Sequence, residues 1–373
     1  MENKLAIIDG SSLLYRAFYA LPPTMTSPDG VPTNAVYGFL RMLLSLYREL
    51  DPAYVAVTFD KDRQTFRTEM YDGYKATRKP APAELVPQFD LILEVMHVMG
   101  VAVYSLSGYE GDDVLGTLSA RYEKELPVAI VTGDRDALQL ASDRTTVYLT
   151  QKGISSMSEM TPKAVEEKYG ITPSQVIDMK ALMGDTADNI PGVPGIGEKT
   201  ALKLLTQYKT LDNLYAHVDE IKGAQGKKLA AGKDMAYLSY KLAAIKRDVP
   251  METTLEEMAQ PVHISEMKEL FSRLGINLLS QFGELPRFTA LAEAKKEEVA
   301  KAGEKAEDCR NAEVRADADQ GFARSLFYRA KRLLLSLELP QFHEFGRAGR
   351  RWLGHAKRDG QTDRLFHSAG NRR

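Results

Sequence analysis

PVAIVTGDRDALQLA, residues 127–141, holds the pattern on which the fold turns. Five apolar or β-branched residues, Val128–Thr132, read as a strand. An acidic turn with Asp134 and Asp136 follows, and then a helical run over 135–141. The same phrase recurs outward in both directions. Strand-like runs lie at Leu5–Asp9, 54–60, 101–105 and 145–149, with amphipathic stretches at 35–50, 84–99 and 112–124. Strand–helix alternation predicts an α/β fold with a mostly parallel central sheet, whose site forms outside the carboxyl ends of the strands. From about residue 161 the strands stop. Pro162–Tyr169, 173–183, 199–208, 211–217, 226–245 and 265–274 read as short helices with Gly/Pro punctuation, a helical subdomain ending near Pro286. Residues 1–170 are therefore expected to be the α/β domain, 171–290 the helical subdomain, and 291–373 a linker and tail with little order of its own.

The 373 residues exceed one ordinary domain, and 44% hydrophobic with 27% charged residues suits a globular core. No run of about 18 apolar residues occurs, which excludes a membrane-spanning helix. MENKLAIIDG is too short for a signal peptide's apolar core, and the single Cys309 makes neither an internal disulfide nor a zinc site, so a cytoplasmic protein is expected. The net charge of −2 hides a split. Residues 310–373 carry fourteen lysines and arginines against seven acids, a balance of +7, which leaves thirty-five against forty-four, or −9, in 1–309. Twelve of the tail's cations are arginine, and it holds the sole tryptophan, Trp352.

Nine carboxylates stand at element ends: Asp9, Asp60, Glu110, Asp112, Asp113, Asp134, Asp136, Asp185 and Asp188. In a parallel sheet their loops converge on one edge. Helix spacing puts Glu110 and Asp113 on one face and turns Asp112 aside. A single aspartate after a strand is usually a helix cap; the coincidence of five clusters is what favours metal. So many carboxylates repel one another unless cations sit among them. Oxygen-only donors, without cysteine or histidine, suit Mg²⁺ or Mn²⁺ and not zinc, and their number suits two ions, the device for in-line attack of water on a phosphodiester.

IPGVPGIGEKTALKLL, residues 190–205, reads as a tight hairpin in which Gly192, Gly195 and Gly197 take positive φ before a helix opening with Lys199 and Thr200. Backbone N–H groups there, with Lys199 and Lys203, suit phosphate oxygens without reading bases; a plain helix–turn–helix corner is the alternative. FRTEMYDGYKATRKPAP, residues 66–82, interleaves Arg67, Lys75, Arg78 and Lys79 with Tyr71 and Tyr74, cations for phosphates and rings for bases. A solvated face is the alternative there.

DGSSLLYRAFYA, VTFD, FRTEMYDGYKATR, GYEGDD, TGDRDALQL and GDTADNIPGVPGIGEKTA follow in order, and on them residues 1 to about 288 resemble the 5′-nuclease domain that opens bacterial DNA polymerase I, of the flap-endonuclease family. The resemblance implies a PIN-like α/β domain with a helical arch near 61–84 and a helix–three-turn–helix that grips duplex DNA and commonly binds K⁺. It assigns Asp9, Asp60, Glu110, Asp112 and Asp113 to one divalent ion and Asp134, Asp136, Asp185 and Asp188 to a second. It puts Lys75 and Arg78 beside the scissile phosphate and Tyr74 near the flipped-out end. The implied activity is hydrolysis of 5′ flaps or RNA primers at single-strand/duplex junctions, by a monomer that has DNA and a DNA polymerase as partners, in replication and repair. A non-catalytic junction-binding module, or a ribonuclease of the PIN-like fold, are the rivals. Beyond Pro286 the resemblance fades.

Overall fold

The strands of the computed structural model, which describes residues 3–150 and 157–288, are β1 (Leu5–Asp9), β2 (Tyr54–Thr58), β3 (Ala102–Tyr104), β4 (Val128–Thr132), β5 (Thr145–Thr150) and β6 (Met157–Met160). The segment 291–308, Cys309 and the Arg-rich tail, including Trp352, lie outside the described residues. The sheet order is β3-β2-β1-β4-β5-β6, parallel except for β6. Asp9 pairs with Thr58 and Ile8 with Val131, so the carboxyl ends of the central strands finish level and their loops share one edge. The order reverses at β1, which places the end of β1 at a switch point of the kind where open α/β sheets bind ligands.

Period-two alternation splits the side chains between two cores. Ala6, Ile8, Val55 and Val57 enter one; Leu5, Ile7, Ala56 and Ile130 enter the other. The first core is covered by α1 (Gly10–Ala20), α2 (Asn34–Leu50) and, beyond the short α3 (Phe66–Met70), by α4 (Val86–Val98). The second is covered by α5 (Gly111–Tyr122), α6 (Pro162–Tyr169), α7 (Gln175–Met183), α8 (Glu198–Tyr208), α9 (Leu211–Ala216), α10 (Gly223–Ala231) and α11 (Lys233–Ala243). The chain then returns to the first core through α12 (Ile264–Arg273) and α13 (Leu279–Gly283), where Phe271, Phe282 and Phe288 pack.

Three local features depart from the sequence expectation. The strand β6 is MSEM, an antiparallel edge strand paired only with β5, and its polar residues conceal the alternation. The helix α1 opens with Gly-Ser-Ser, poor helix formers, and forms because Asp9 caps it by accepting the Ser12 N–H at 2.9 Å. The single helix expected over 226–245 is two, broken at Gly232 where the α10–α11 corner packs on Val193. Over the segment expected to form the arch, α3 and a string of turns lie along the edge of the sheet that carries the acids.

Candidate active site

Four loops that leave parallel strands deliver the acids. Asp9 ends β1, Asp60 follows β2, Glu110 caps α5 after β3, and Asp134 caps the short 3₁₀ helix Arg135–Leu140 after β4. Together with Asp112, Asp136 and Asp188 they line one cleft of about 260 Å³. Asp9 is held from two sides, by the Ser12 N–H and by Thr132 Oγ1, which donates at 2.6 Å. Asp60 Oδ1 accepts the Gly111 N–H at 2.8 Å, joining the β2 loop to the start of α5. No described cation forms an ion pair with Asp9, Asp60 or Asp112.

That charge has electrostatic consequences. Withdrawal from water, opposed by the Thr132 and Ser12 hydrogen bonds and reinforced by Asp60 and Asp134, pushes Asp9 up to about 7. Withdrawal from water and repulsion from Asp9, Asp134 and Asp60 lift Asp112 well above the usual carboxylate range. Asp136 is raised to about 6 by burial and by Asp134, although Lys180 Nζ lies 2.7 Å from its Oδ1. Lys180 also binds Asp185, whose carboxyl it holds below the ordinary value against the effect of burial. Oxygen donors kept close in this way fit a hard divalent cation. Among the described residues, however, no three side chains converge closely enough to enclose one. The reason is visible: Glu110, Asp136, Asp185 and Asp188 lean on lysine and arginine.

The cationic segment supplies those partners. Lys75 Nζ sits 2.7 Å from Glu110 Oε1 and 3.8 Å from Asp188 Oδ2, and Arg78 pairs with Asp188 Oδ1. Burial lowers the Lys75 pKa, but Glu110 and Asp188 outweigh it and hold the ammonium charged. Lys79 is exposed beyond them. Three sequence assignments change here. Arg67, expected to meet DNA, is 2% exposed and enclosed by Asp113, Glu110 and the carbonyls of Leu242 and Ala244. Asp113, expected to bind metal, is 0% exposed; its oxygens take the Arg67 fork and the N–H groups of Glu110 and Lys246, so it does not open on the cleft. It is Asp112, the residue turned aside, that meets the other acids. Tyr74, expected beside an unpaired base, is 5% exposed, packs on Ile190, Leu242 and Ala243, and donates its hydroxyl to Glu110 at 3.0 Å; Tyr71 packs beside it, half-buried.

The glycine hairpin joins α7 to α8. Gly192 has φ +61°, and a Cβ there would stand 2.3 Å from the Gly184 nitrogen; Gly195 has φ +79°. Gly197 differs from expectation: its φ is −98° with open space around it, and it serves as the N-cap residue of α8. Lys199 and Lys203 are exposed on α8, with Thr200 half-buried between them.

Consecutive family models match this chain: the 5′-3′ exonuclease N-terminal resolvase-like domain over residues 4–170, and the 5′-3′ exonuclease C-terminal SAM fold over 171–269. The chain belongs to the 5′-3′ exonuclease family. Among relatives, DNA polymerase I of Bacillus caldotenax is 48% identical over 289 residues, 77% of this chain and 33% of that protein. DNA polymerase I of Bacillus subtilis is 44% identical over 287 residues, 76% and 32% respectively. The chain thus spans about a third of the length of the curated relatives it matches. Among solved structures, T5 5′-exonuclease with bound zinc superposes with a TM-score of 0.53 at 21% identity, covering 73% of this chain and 99% of that one. The catalytic core of Rad2 with DNA substrate gives 0.51 at 14% identity, covering 78% and 92%. At those identities the likeness is one of fold.

Several residues of this cleft escaped the sequence reading. Thr132, Ser12 and Tyr15 reach the cleft or its acids. Lys180 stands one helical turn and a cap before Asp185, a spacing that offered a signal. Asn189, at φ +54°, donates to the Gly73 carbonyl at 2.6 Å and ties the hairpin loop to the cationic segment. Nothing local in sequence announces that contact, since 116 positions separate the two.

Proposed function

We propose that this chain is a structure-specific 5′ nuclease, a 5′→3′ exonuclease and flap endonuclease that hydrolyses DNA or RNA-primer phosphodiesters at single-strand/duplex junctions. The observation that carries the reading is the cleft itself: carboxylates from four separate strand–helix loops face one volume, with Lys75 and Arg78 at its rim. Asp9, Asp60, Glu110 and Asp112 would hold one Mg²⁺ or Mn²⁺, and Asp134, Asp136, Asp185 and Asp188 a second. When bound, such ions supply Lewis-acid polarisation of the phosphodiester and activation of the attacking water.

The protein's own residues do the rest. Thr132 and Ser12 fix the Asp9 rotamer. Lys75 and Arg78, charged and adjacent to the acids, neutralise phosphoryl oxygens as negative charge develops on them. The hairpin around Gly192 and Gly195, with Gly197, Lys199, Thr200 and Lys203, holds the duplex backbone, and backbone carbonyls of that hairpin would hold a K⁺ ion. In this division residues 1–170 carry the chemistry, 171–290 grip DNA, and 291–373 follow as linker and basic tail. The protein acts as a cytoplasmic monomer beside a DNA polymerase. No described helix is long and apolar enough to cross a membrane.

A 5′-labelled flap assayed with Mg²⁺ and then with EDTA tests the proposal. Release of short 5′ products that EDTA abolishes is the expected result. Tight junction binding with no cleavage in either Mg²⁺ or Mn²⁺ would instead establish a binding module.

A further inference from the structure

Arg67 is the buried cation of the 66–79 segment, 2% exposed, and it makes the most hydrogen bonds of the four. Its Nε donates to the Leu242 carbonyl at 2.8 Å. Its Nη2 donates to the Ala244 carbonyl at 2.7 Å and to Asp113 Oδ1 at 2.8 Å. Its Nη1 donates to Asp113 Oδ2 at 2.6 Å and to Glu110 Oε2 at 3.2 Å. Five contacts match the five N–H donors of a guanidinium, so none is left over. The Phe66 ring lies against the group, its centroid 4.5 Å from Cζ, and Lys246 Nζ is 4.9 Å from the same centroid.

Arg67 and these partners belong to three parts of the chain that are remote in sequence. Glu110 and Asp113 open α5, in the acid-bearing half. Leu242 and Ala244 lie at the end of α11, where helix carbonyls lack N–H partners and a cation is favoured by the dipole. The α11 helix also receives the DNA-facing hairpin, because Ser239 Oγ accepts the Gly192 N–H at 2.9 Å. From Arg67 itself the backbone passes through successive turns, Tyr71 N–H to the Arg67 carbonyl, Tyr74 to Tyr71 and Arg78 to Lys75, up to the two cations at the cleft. Glu110 closes the circuit, since its other oxygen holds Lys75.

We infer that Arg67 is a positioning residue that ties the cationic segment, the acidic start of α5 and the hairpin-bearing helix α11 into one unit, so that Lys75 and Arg78 meet the carboxylates in register with the bound duplex. Its planar fork is required. A lysine keeps the charge but presents a point donor that cannot span Asp113 and two carbonyls at once. The inference rests on the nuclease reading for its kinetic readout only.

Two full-length variants test it, Arg67→Lys and the charge-balanced Arg67→Met/Asp113→Asn. Removing both charges avoids the unpaired buried ion that Arg67→Met alone would leave. Each should unfold within a few degrees of wild type and bind flap DNA within about 3-fold, while single-turnover cleavage falls about 100-fold, the scale of a misplaced reacting group. Hydrogen exchange should quicken in 66–79 and 242–247 together and stay unchanged in α4 and α12. Cleavage near the wild-type rate in the double variant overturns the inference. So does a rate loss that merely follows a lowered unfolding midpoint, or exchange that is unchanged in either segment. A wild-type protein that fails to cleave the flap refutes the nuclease reading, and the exchange comparison then decides the role of Arg67 by itself.

Discussion

Asp112 and Asp113 are neighbours of identical chemistry with opposite surroundings. Asp112 faces other carboxylates across the cleft; Asp113 is enclosed by Arg67. Replacing each by asparagine should therefore separate catalysis from stability. Asp112→Asn removes a repelled charge, so the unfolding midpoint should rise by about 2–5 °C while flap cleavage falls at least about 100-fold. Asp113→Asn takes from a buried guanidinium its main partner, which costs about 3–5 kcal/mol, so the midpoint should fall by roughly 5–10 °C. Calorimetry and a single-turnover assay on both proteins check this. Equal midpoints for the two variants would refute the assignment. The acids themselves were legible in sequence because carboxylates at strand ends are a local pattern. Their division into cleft and lock was not, since Arg67 lies 46 positions from Asp113 and looks like any other cation in a basic stretch.

Among elements, α7 and α9 meet through one carboxyl. Asp178 on α7 accepts the N–H of Leu211, the first residue of α9, at 3.2 Å. Burial, partly offset by that hydrogen bond and reinforced by Asp212, raises its pKa to about 6. A carboxyl whose folded pKa exceeds its unfolded value binds more protons in the native state between roughly pH 4 and 6. Stability therefore declines across that window as pH rises and stays reduced above it. Asp178→Asn keeps an acceptor for Leu211 and removes the charge. It should raise the unfolding midpoint by about 2–4 °C at pH 7.5, with the gain vanishing near pH 4. A pH series of melting curves for both proteins checks the sign; a gain that grows toward acid contradicts it. The helices here were foreseen from their periodicity. The break at Gly232 was not, because it answers to Val193 on a different segment.

For the whole molecule, the charge split between residues 1–309 and 310–373 sets the third prediction. Deleting 310–373 should leave cleavage and the unfolding midpoint nearly unchanged, because the acids, the cationic segment and the hairpin all lie before residue 289. Removing a balance of +7 should weaken non-specific DNA binding at low salt and flatten its dependence on salt concentration. Measured binding isotherms across a salt series decide it, and cleavage lost at every salt concentration would show the tail to be part of the working fold. The strand–helix alternation, the acids at strand ends and the glycine hairpin are written in residues that lie next to one another, and short-range backbone preference and hydrophobic period suffice to express them. The tertiary structure alone decided which acids share the cleft, which cations they hold, and that Arg67, Tyr74 and Asp113 turn inward. Those outcomes depend on pairings across scores of residues, and the cost of burying an unpaired charge chooses among the possible partners only once the chain has packed.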